Sequence, residues 1–298
     1  MPLRALVTGI NGFTGRYIAP ALLQRGYEVH GLSTVAAIQS SAYVSHVGDL
    51  LDTTSLIRVI EEVRPNVVIN LAGVSFVPHS SVDTIYQTNL IGSRNLLEAL
   101  TQSGVFPSAV LLASSANVYG NSTEGVMDET TPPAPANDYA VSKLAMEHVA
   151  KLYKDRLPII IVRPFNYTGV GQSPTFLLPK IVDHIRRRAE HIELGNLDVA
   201  RDFSDVRMVV DAYCRLLEEP SAIGGTYNVC SGIAYTLGQV LELAQQISGH
   251  HMVVSINPSF VRANEVKMLL GSRSRLESRI GSVQPHKLLE TLRWMINN

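Results

Sequence analysis

Cysteine is nearly absent from this chain: Cys214 and Cys230 are the only two among 298 residues. Neither has a Cys or His neighbour at metal-ligand spacing, so both read as small buried hydrophobes. A disulfide framework is excluded and no metal centre is expected. Excess charge is lacking too. The formal net charge is -1, so no global field recruits nucleic acid or an anionic membrane. Any anionic ligand must be held by local cations. Long apolar runs are also missing. Stretches such as Pro158–Val162 fall far short of the roughly 20 residues that span a bilayer. The N-terminus enters a strand with no basic segment followed by an apolar one. These absences lead to the expectation of a soluble, cytoplasmic protein.

What is present is an ordinary globular composition, 46% hydrophobic and 17% charged, with enough material for a substantial core. Short apolar runs at Leu3–Thr8, Tyr27–Leu32, Asn66–Ala72, Ser108–Ser114 and Leu157–Arg163 read as strands. Helical spacing lies between them at Phe13–Arg25, Thr54–Val63, Val82–Gln102 and Asp138–Lys154. Strands alternating with helices imply an α/β fold, a doubly wound parallel sheet of Rossmann type. After Arg163-Pro164 the rhythm changes, and a smaller C-terminal α/β lobe is expected. The division is residues 1–163, a dinucleotide-binding domain, and 164–298, a substrate lobe. The boundary is soft, and the chain is free to cross it more than once.

Gly9-Ile10-Asn11-Gly12-Phe13-Thr14-Gly15 sits between the first predicted strand and helix. Glycines there permit a tight turn and close approach of backbone N–H groups to a pyrophosphate, next to a helix N-terminus. Gly9, Asn11, Gly12, Phe13 and Gly15 are therefore candidate cofactor contacts. One further absence is informative. An NAD-type site usually carries an acid at the end of the second strand, but Gly31-Leu32-Ser33-Thr34 offers none. A 2′-phosphate is then permitted, and Arg16 is placed to meet it. NADPH is the expected cofactor, with NADH tolerated. Asp49 and Leu50 are expected at the adenine edge, and Leu71, Ala72 and Gly73 beneath the cofactor.

Tyr139 and Lys143 are four residues apart in Asp138-Tyr139-Ala140-Val141-Ser142-Lys143, which places both on one helix face. A nearby ammonium favours a phenolate, so the pair predicts a phenol with a lowered pKa that exchanges a proton with a carbonyl or alcohol. Ser115, in Ser114-Ser115-Ala116-Asn117-Val118-Tyr119-Gly120, ends a strand at the carboxyl edge of the sheet, where such folds bind ligands. Its hydroxyl is placed to bond both a substrate oxygen and the tyrosine.

With the glycine run, Ser115, Tyr139 and Lys143 together, the whole chain resembles the extended short-chain dehydrogenase/reductase family, the nucleotide-sugar modifiers. The resemblance implies that Ser115 polarises a carbonyl, Tyr139 is the general acid/base, and Lys143 binds the nicotinamide ribose. It also implies that Asn89 faces the cofactor and that Ser75 borders the sugar. Arg163-Pro164-Phe165-Asn166, Gly169-Val170-Gly171-Gln172, Leu194-Gly195-Asn196-Leu197-Asp198, Arg201-Asp202-Phe203 and Arg262-Ala263-Asn264-Glu265 look like the GDP-sugar branch. By that resemblance Asn166, Lys180, Arg201, Arg262 and Glu265 hold a GDP group. Arginine forks suit diphosphate oxygens, and a carboxylate suits ribose hydroxyls.

Missing groups also narrow the reaction. Dehydratases of this branch carry an acid just after the matching Ser or Thr; here stand Ala116 and Asn117, neither a general acid or base. The epimerising reductases need a cysteine, and the first lobe has none. Simple hydride transfer at C4 remains: reduction of GDP-4-dehydro-6-deoxy-D-mannose to GDP-D-rhamnose. Three alternatives stay open here: the stereochemical sibling forming GDP-6-deoxy-D-talose, a nucleotide-sugar 4-epimerase, and a non-catalytic dinucleotide-sensing protein. The resemblance further implies a homodimer joined through helices 82–102 and 138–154.

Overall fold

The structure is a computed structural model that describes residues 2–35, 42–75, 81–121, 125–261, 267–284 and 286–298. The chain begins β1 (Leu3–Thr8), α1 (Gly15–Gln24), β2 (Tyr27–Ser33), β3 (Val44–Val47), α2 (Thr53–Val63) and β4 (Val67–Asn70). Then come α3 (Val82–Tyr86), a π turn (Gln87–Gly92), α4 (Ser93–Gln102), β5 (Ala109–Ala113), a 3-10 turn (Ala116–Tyr119) and β6 (Gly125–Met127). Next are α5 (Asp138–Lys151), β7 (Ile159–Pro164), β8 (Asn166–Thr168), α6 (Leu177–Arg186), β9 (His191–Leu194) and β10 (Ala200–Asp205). The chain continues through α7 (Val206–Leu217), β11 (Thr226–Val229), β12 (Ala234–Thr236), α8 (Leu237–Ser248) and β13 (Val253–Ile256). It ends with β14 (Met268–Gly271), α9 (Ser274–Ile280) and α10 (Leu288–Asn297).

Seven strands form one sheet in the order β3-β2-β1-β4-β5-β7-β11, and every neighbouring pair is parallel. The expected doubly wound Rossmann sheet is therefore present. Strand side chains alternate between its two faces. Ala5 and Val7 join the core under α1 and α7, with Ile18, Leu22, Val209 and Tyr213. Leu6 points the other way, into the core under α2, α4 and α5, with Leu56, Leu97 and Met146. A sheet buried on both faces explains why its strands read as unbroken apolar runs. Leu97 is fully buried; truncation to Ala is expected to cost about 2–5 kcal/mol.

The chain crosses the 163/164 division in both directions. β11 returns as an edge strand of the large sheet, while β6 pairs with β14 beside β10. The smaller lobe has its own core, in which α6, α8 and α10 pack around Ile192, Leu194 and Phe203. Asp202 pins the two together: its carboxylate accepts from Ser231 N at 2.8 Å and Gly232 N at 2.9 Å, just beyond β11.

The helix expected over 82–102 is interrupted. The six residues Gln87–Gly92 form a π turn between α3 and α4. Such widened turns concentrate at functional sites, and this one carries Asn89. α5 starts at Asn137, whose side chain accepts from Ala140 N at 2.9 Å, and His148 and Lys151 in its last turn complement the helix dipole.

Candidate active site

The sheet order reverses between β1 and β4, and the candidate residues gather at the carboxyl ends of these strands. This is the crevice in which open α/β sheets hold ligands. After β1 the backbone turns at Gly9, whose φ is +68°. A Cβ there would lie 2.7 Å from Ala72 N, and one on Gly15 would overlap Ile10 O. Bare backbone is thus required at both positions, with α1 following directly. Asn11, Gly12 and Arg16 are exposed on this turn. Asn11 Nδ2 donates to Ser33 Oγ at 3.0 Å, which ties the turn to the end of β2 where an acid is missing. Phe13 stacks on Tyr167, and Tyr167 Oη bonds Thr14 Oγ1 at 2.8 Å.

The segment after β4 lies alongside. Ala72 N donates to Thr8 Oγ1 at 3.2 Å. Gly73 faces a lysine: a Cβ on it would lie 3.1 Å from Lys143 Nζ. Asn89 is fully buried and fully engaged. Its Oδ1 accepts from Val74 N at 2.8 Å, and its Nδ2 donates to Val74 O at 3.1 Å and Ser142 Oγ at 3.0 Å. It clamps the β4 loop to α5, a positioning arrangement rather than a free cofactor contact. Asp49 is exposed and accepts from Leu51 N at 2.9 Å. Leu50 is buried, and Asn95 Nδ2 donates to its carbonyl at 3.0 Å. Ser75 is exposed at the end of the described loop.

Ser115, Tyr139 and Lys143 do meet. Tyr139 is half-buried beside the buried Ser115. Lys143 Nζ lies 6.0 Å from the Tyr139 ring centroid and donates to Ala113 O at 2.9 Å. Among the described residues that carbonyl is its sole hydrogen-bond partner, and no carboxylate pairs with it. Burial without a counter-ion pulls the Lys143 ammonium down to about 8. The expected lowering of the phenol is overturned. Desolvation pushes Tyr139 up to about 12, the nearby Ser115 hydroxyl offsets only part of it, and Lys143 does not reverse it. Tyr139 is therefore held as a neutral proton donor.

Behind this trio lies a buried polar network. Glu147, one turn beyond Lys143, is 2% exposed, and Arg163 is 6% exposed. Glu147 Oε1 accepts from Arg163 Nε at 2.9 Å and Oε2 from Arg163 Nη2 at 2.6 Å. Ser114 Oγ donates to the same carboxylate at 2.5 Å. Arg163 Nη1 donates to Tyr119 Oη at 3.0 Å, and Tyr119 donates to Asn228 Oδ1 at 2.7 Å. Two successive residues of the β5 end thus each hold one residue of α5: Ala113 holds Lys143 and Ser114 holds Glu147, and Ser115 follows beside Tyr139. Glu147 and Tyr167 escaped sequence reasoning. The four-residue step from Lys143 to Glu147 was the available signal.

The second lobe supplies Asn166 on β8, Lys180 on α6 and Arg201 on β10. β8 and β10 pair directly, with Asn166 opposite Phe203. Lys180 Nζ donates to Glu193 O at 2.8 Å and lies 4.5 Å from the Phe260 ring centroid. Arg201 is half-buried and donates to Ala200 O at 2.8 Å. Arg262 and Glu265 lie outside the described residues.

Fold and site together define an NAD(P)-dependent oxidoreductase of the extended short-chain dehydrogenase/reductase class. The profile of the GDP-mannose 4,6-dehydratase family matches residues 6–295, and the chain belongs to that family. It is 35% identical over 281 residues to a GDP-6-deoxy-D-talose 4-dehydrogenase of Aggregatibacter actinomycetemcomitans, covering 94% of this chain and 92% of that one. It is 34% identical to the GDP-6-deoxy-D-mannose reductase of Pseudomonas aeruginosa, covering 100% and 97%. Among solved structures, RMD from Pseudomonas aeruginosa complexed with NADPH superposes with a TM-score of 0.86 at 32% identity, covering 100% and 97%. A Burkholderia cenocepacia protein, provisionally assigned as an epimerase, gives 0.94 at 52% identity, covering 99% and 97%.

Proposed function

We propose that this protein reduces the C4 ketone of GDP-4-dehydro-6-deoxy-D-mannose to GDP-D-rhamnose with NADPH, tolerating NADH. The observation that carries the reading is Tyr139 gathered with Ser115 and a Lys143 ammonium that has no carboxylate partner among the described residues, with no acid at Ala116 or Asn117. The names of two relatives that are each about a third identical, a 4-dehydrogenase and a reductase of GDP-6-deoxy sugars, support the same chemistry.

The residues present fit a dinucleotide. Gly9 and Gly15 keep the turn bare of Cβ atoms, and Lys143 has donors left over for ribose hydroxyls. Ser33 and Arg16 leave room and charge for a 2′-phosphate. The nicotinamide, when bound, supplies the hydride for C4. Tyr139 delivers the proton to the developing alkoxide, and Ser115 donates a hydrogen bond to the same oxygen. Lys143, one turn away, stabilises the phenolate that remains until solvent returns its proton. Arg201, Lys180 and Asn166 hold the GDP group. Their binding energy orients the sugar and leaves only C4 to react.

Reduction on the opposite sugar face gives GDP-6-deoxy-D-talose, a second reading that the first-named relative favours. We also infer a two-lobe division of labour, with dinucleotide on the large sheet and nucleotide-sugar on the smaller lobe. A homodimer is inferred through α3, the π turn, α4 and α5, where Val82, Ile91 and Val141 are exposed. The test incubates the protein with GDP-4-dehydro-6-deoxymannose and NADPH or NADH, follows absorbance at 340 nm, and identifies the product by NMR. Oxidation of neither cofactor refutes the reductase reading. The C4 configuration of the product decides between rhamnose and talose.

A further inference from the structure

We propose that Tyr167 is a positioning residue that ties the dinucleotide turn to the substrate lobe and so sets the distance across which hydride passes. The kinetic consequence rests on the reductase reading; the link itself does not. Tyr167 stands on β8, which pairs with β10, Tyr167 opposite Ser204. The same strand carries Asn166, and β10 carries Arg201, two of the residues assigned to the GDP group. Neighbours on a strand face opposite ways, so Tyr167 leaves the face of Asn166. It reaches the other lobe instead. Its hydroxyl bonds Thr14 Oγ1 at 2.8 Å, and its ring stacks on Phe13 with centroids 6.0 Å apart and planes at 18°. Phe13 and Thr14 belong to the glycine turn itself.

Thr14 shows how the turn is committed to this contact. A threonine ahead of a helix ordinarily holds extended backbone and caps the first amides. Thr14 is already helical, with φ -68° and ψ -34°, and its hydroxyl does not cap α1. It bonds Tyr167 across the lobe division. The contact is repeated one turn on, where Tyr17 Oη donates to Val170 O at 2.6 Å. Phe13 meets Tyr17 edge to face, with centroids 5.6 Å apart. The receiving loop is braced from within. Gln172 Nε2 donates to Tyr167 O at 3.1 Å, and Gln172 Oε1 accepts from Thr168 Oγ1 at 2.7 Å. Gly169 has no room to shift, since a Cβ there would lie 2.6 Å from Val206 Cγ1. Three side chains from the start of α1 thus grip one loop of the substrate lobe. Tyr167 is the member of that grip whose own strand pairs with β10. A misplacement of about 1 Å between reacting groups can cost roughly 100-fold in rate, so the register of the two lobes is a kinetic quantity.

The test removes the bond from either end. Tyr167→Phe keeps the ring stack and loses the hydroxyl; Thr14→Val keeps the shape and loses its partner. In turnover of GDP-4-dehydro-6-deoxymannose with NADPH, each should lower kcat about tenfold. The double variant should be no slower than the slower single, because both changes break one bond. Affinities for NADPH and for GDP, measured separately by calorimetry, should stay within about threefold. Stopped-flow single turnovers at 340 nm separate positioning from mere loosening of the fold. A misfolded fraction lowers the amplitude and leaves the rate constant; a displaced sugar lowers the rate constant at full amplitude. A wild-type rate constant in Tyr167→Phe, or losses that multiply in the double variant, overturns the proposal. Failure of the wild-type protein to oxidise NADPH refutes the reductase reading, and the link is then judged by urea unfolding of the same variants. A double variant no less stable than the weaker single sustains it, and additive losses overturn it.

Discussion

Replacing Glu147 with leucine tests how the site is braced. The substitution keeps the volume approximately and removes both carboxylate oxygens. Three donors then lose their acceptor: Arg163 Nε, Arg163 Nη2 and Ser114 Oγ, now at 2.9, 2.6 and 2.5 Å. Both members of the ion pair are buried, with side chains 8% and 3% exposed, so water does not readily replace the lost partner. Removing one side of a buried pair costs about 3–5 kcal/mol, because the other charge is left unpaired in a medium of low dielectric. At roughly 2 °C per kcal/mol, the melting temperature should fall by about 6–10 °C.

The companion variant Glu147→Leu/Arg163→Met removes both charges together. A well-packed apolar pair is often as stable as the ion pair it replaces. The double variant should therefore be more stable than Glu147→Leu alone, with a coupling of about 2 kcal/mol or more. The assay is urea unfolding followed by circular dichroism, analysed as a double-mutant cycle. Loss of under about 1 kcal/mol in the single variant, or simple additivity in the double, refutes the bracing argument. Both variants also release Ser114 beside Ser115, so both should lose turnover whichever is the more stable.

Tyr139→Phe should keep its melting temperature and lose about 10²–10⁴ in kcat, read by cofactor absorbance; turnover within twofold of wild type would sink the assigned acid. Gly15→Ala introduces a Cβ against Ile10 O and should abolish cofactor binding in calorimetry; retained affinity would mean the turn does not hold the dinucleotide. Lys143→Met concerns a group whose folded pKa, about 8, lies below its ordinary value of 10.5. The charged form is therefore penalised by folding. That penalty is complete below pH 8 and fades as pH rises toward 10.5, because there the unfolded chain binds the extra proton. Lys143→Met should be more stable than wild type at pH 7 by a margin that shrinks over that window; a pH-independent difference refutes it. Ser33→Asp should shift the kcat/KM preference toward NADH, and an unchanged ratio would place β2 away from the 2′ position.

What was legible in the sequence followed from local constraint. The Gly9–Gly15 turn demands residues without Cβ, and that demand is written as residue type within seven positions. Tyr139 and Lys143 are one helical turn apart, so spacing alone joined them. The strands of the large sheet were legible because burial on both faces makes them apolar throughout. The π turn was not, because a single widened turn leaves the apolar repeat of 82–102 nearly unchanged. Asn89 is expected at the cofactor by resemblance alone, and its side-chain bonds to Val74 and Ser142 are contacts that spacing does not reveal. The sign of the Tyr139 shift depends on burial balanced against charge, a three-dimensional quantity. The small strands β6, β8, β12 and β14 pair across dozens of residues and carry no periodic signature in three or four positions.

The α5 face explains why so much buried charge is tolerated here. Tyr139, Lys143 and Glu147 follow one another at four-residue steps, and a lysine with a glutamate four residues on would ordinarily form a pair along the helix. The structure does not make it. Arg163 takes both oxygens of Glu147, and Lys143 is left with the carbonyl of Ala113. Pairing Lys143 with Glu147 would stabilise the ammonium, cancel its charge and engage the donors that face Gly73. Diverting the carboxylate to Arg163 does the reverse. It keeps a desolvated positive charge beside a neutral phenol, where the proposed reaction needs a partner for ribose hydroxyls and a developing alkoxide. A helix selected for stability alone would close the Lys143–Glu147 pair. That it stays open, with a second cation committed to holding it open, is the physical mark of a site built to receive an electron-rich ligand.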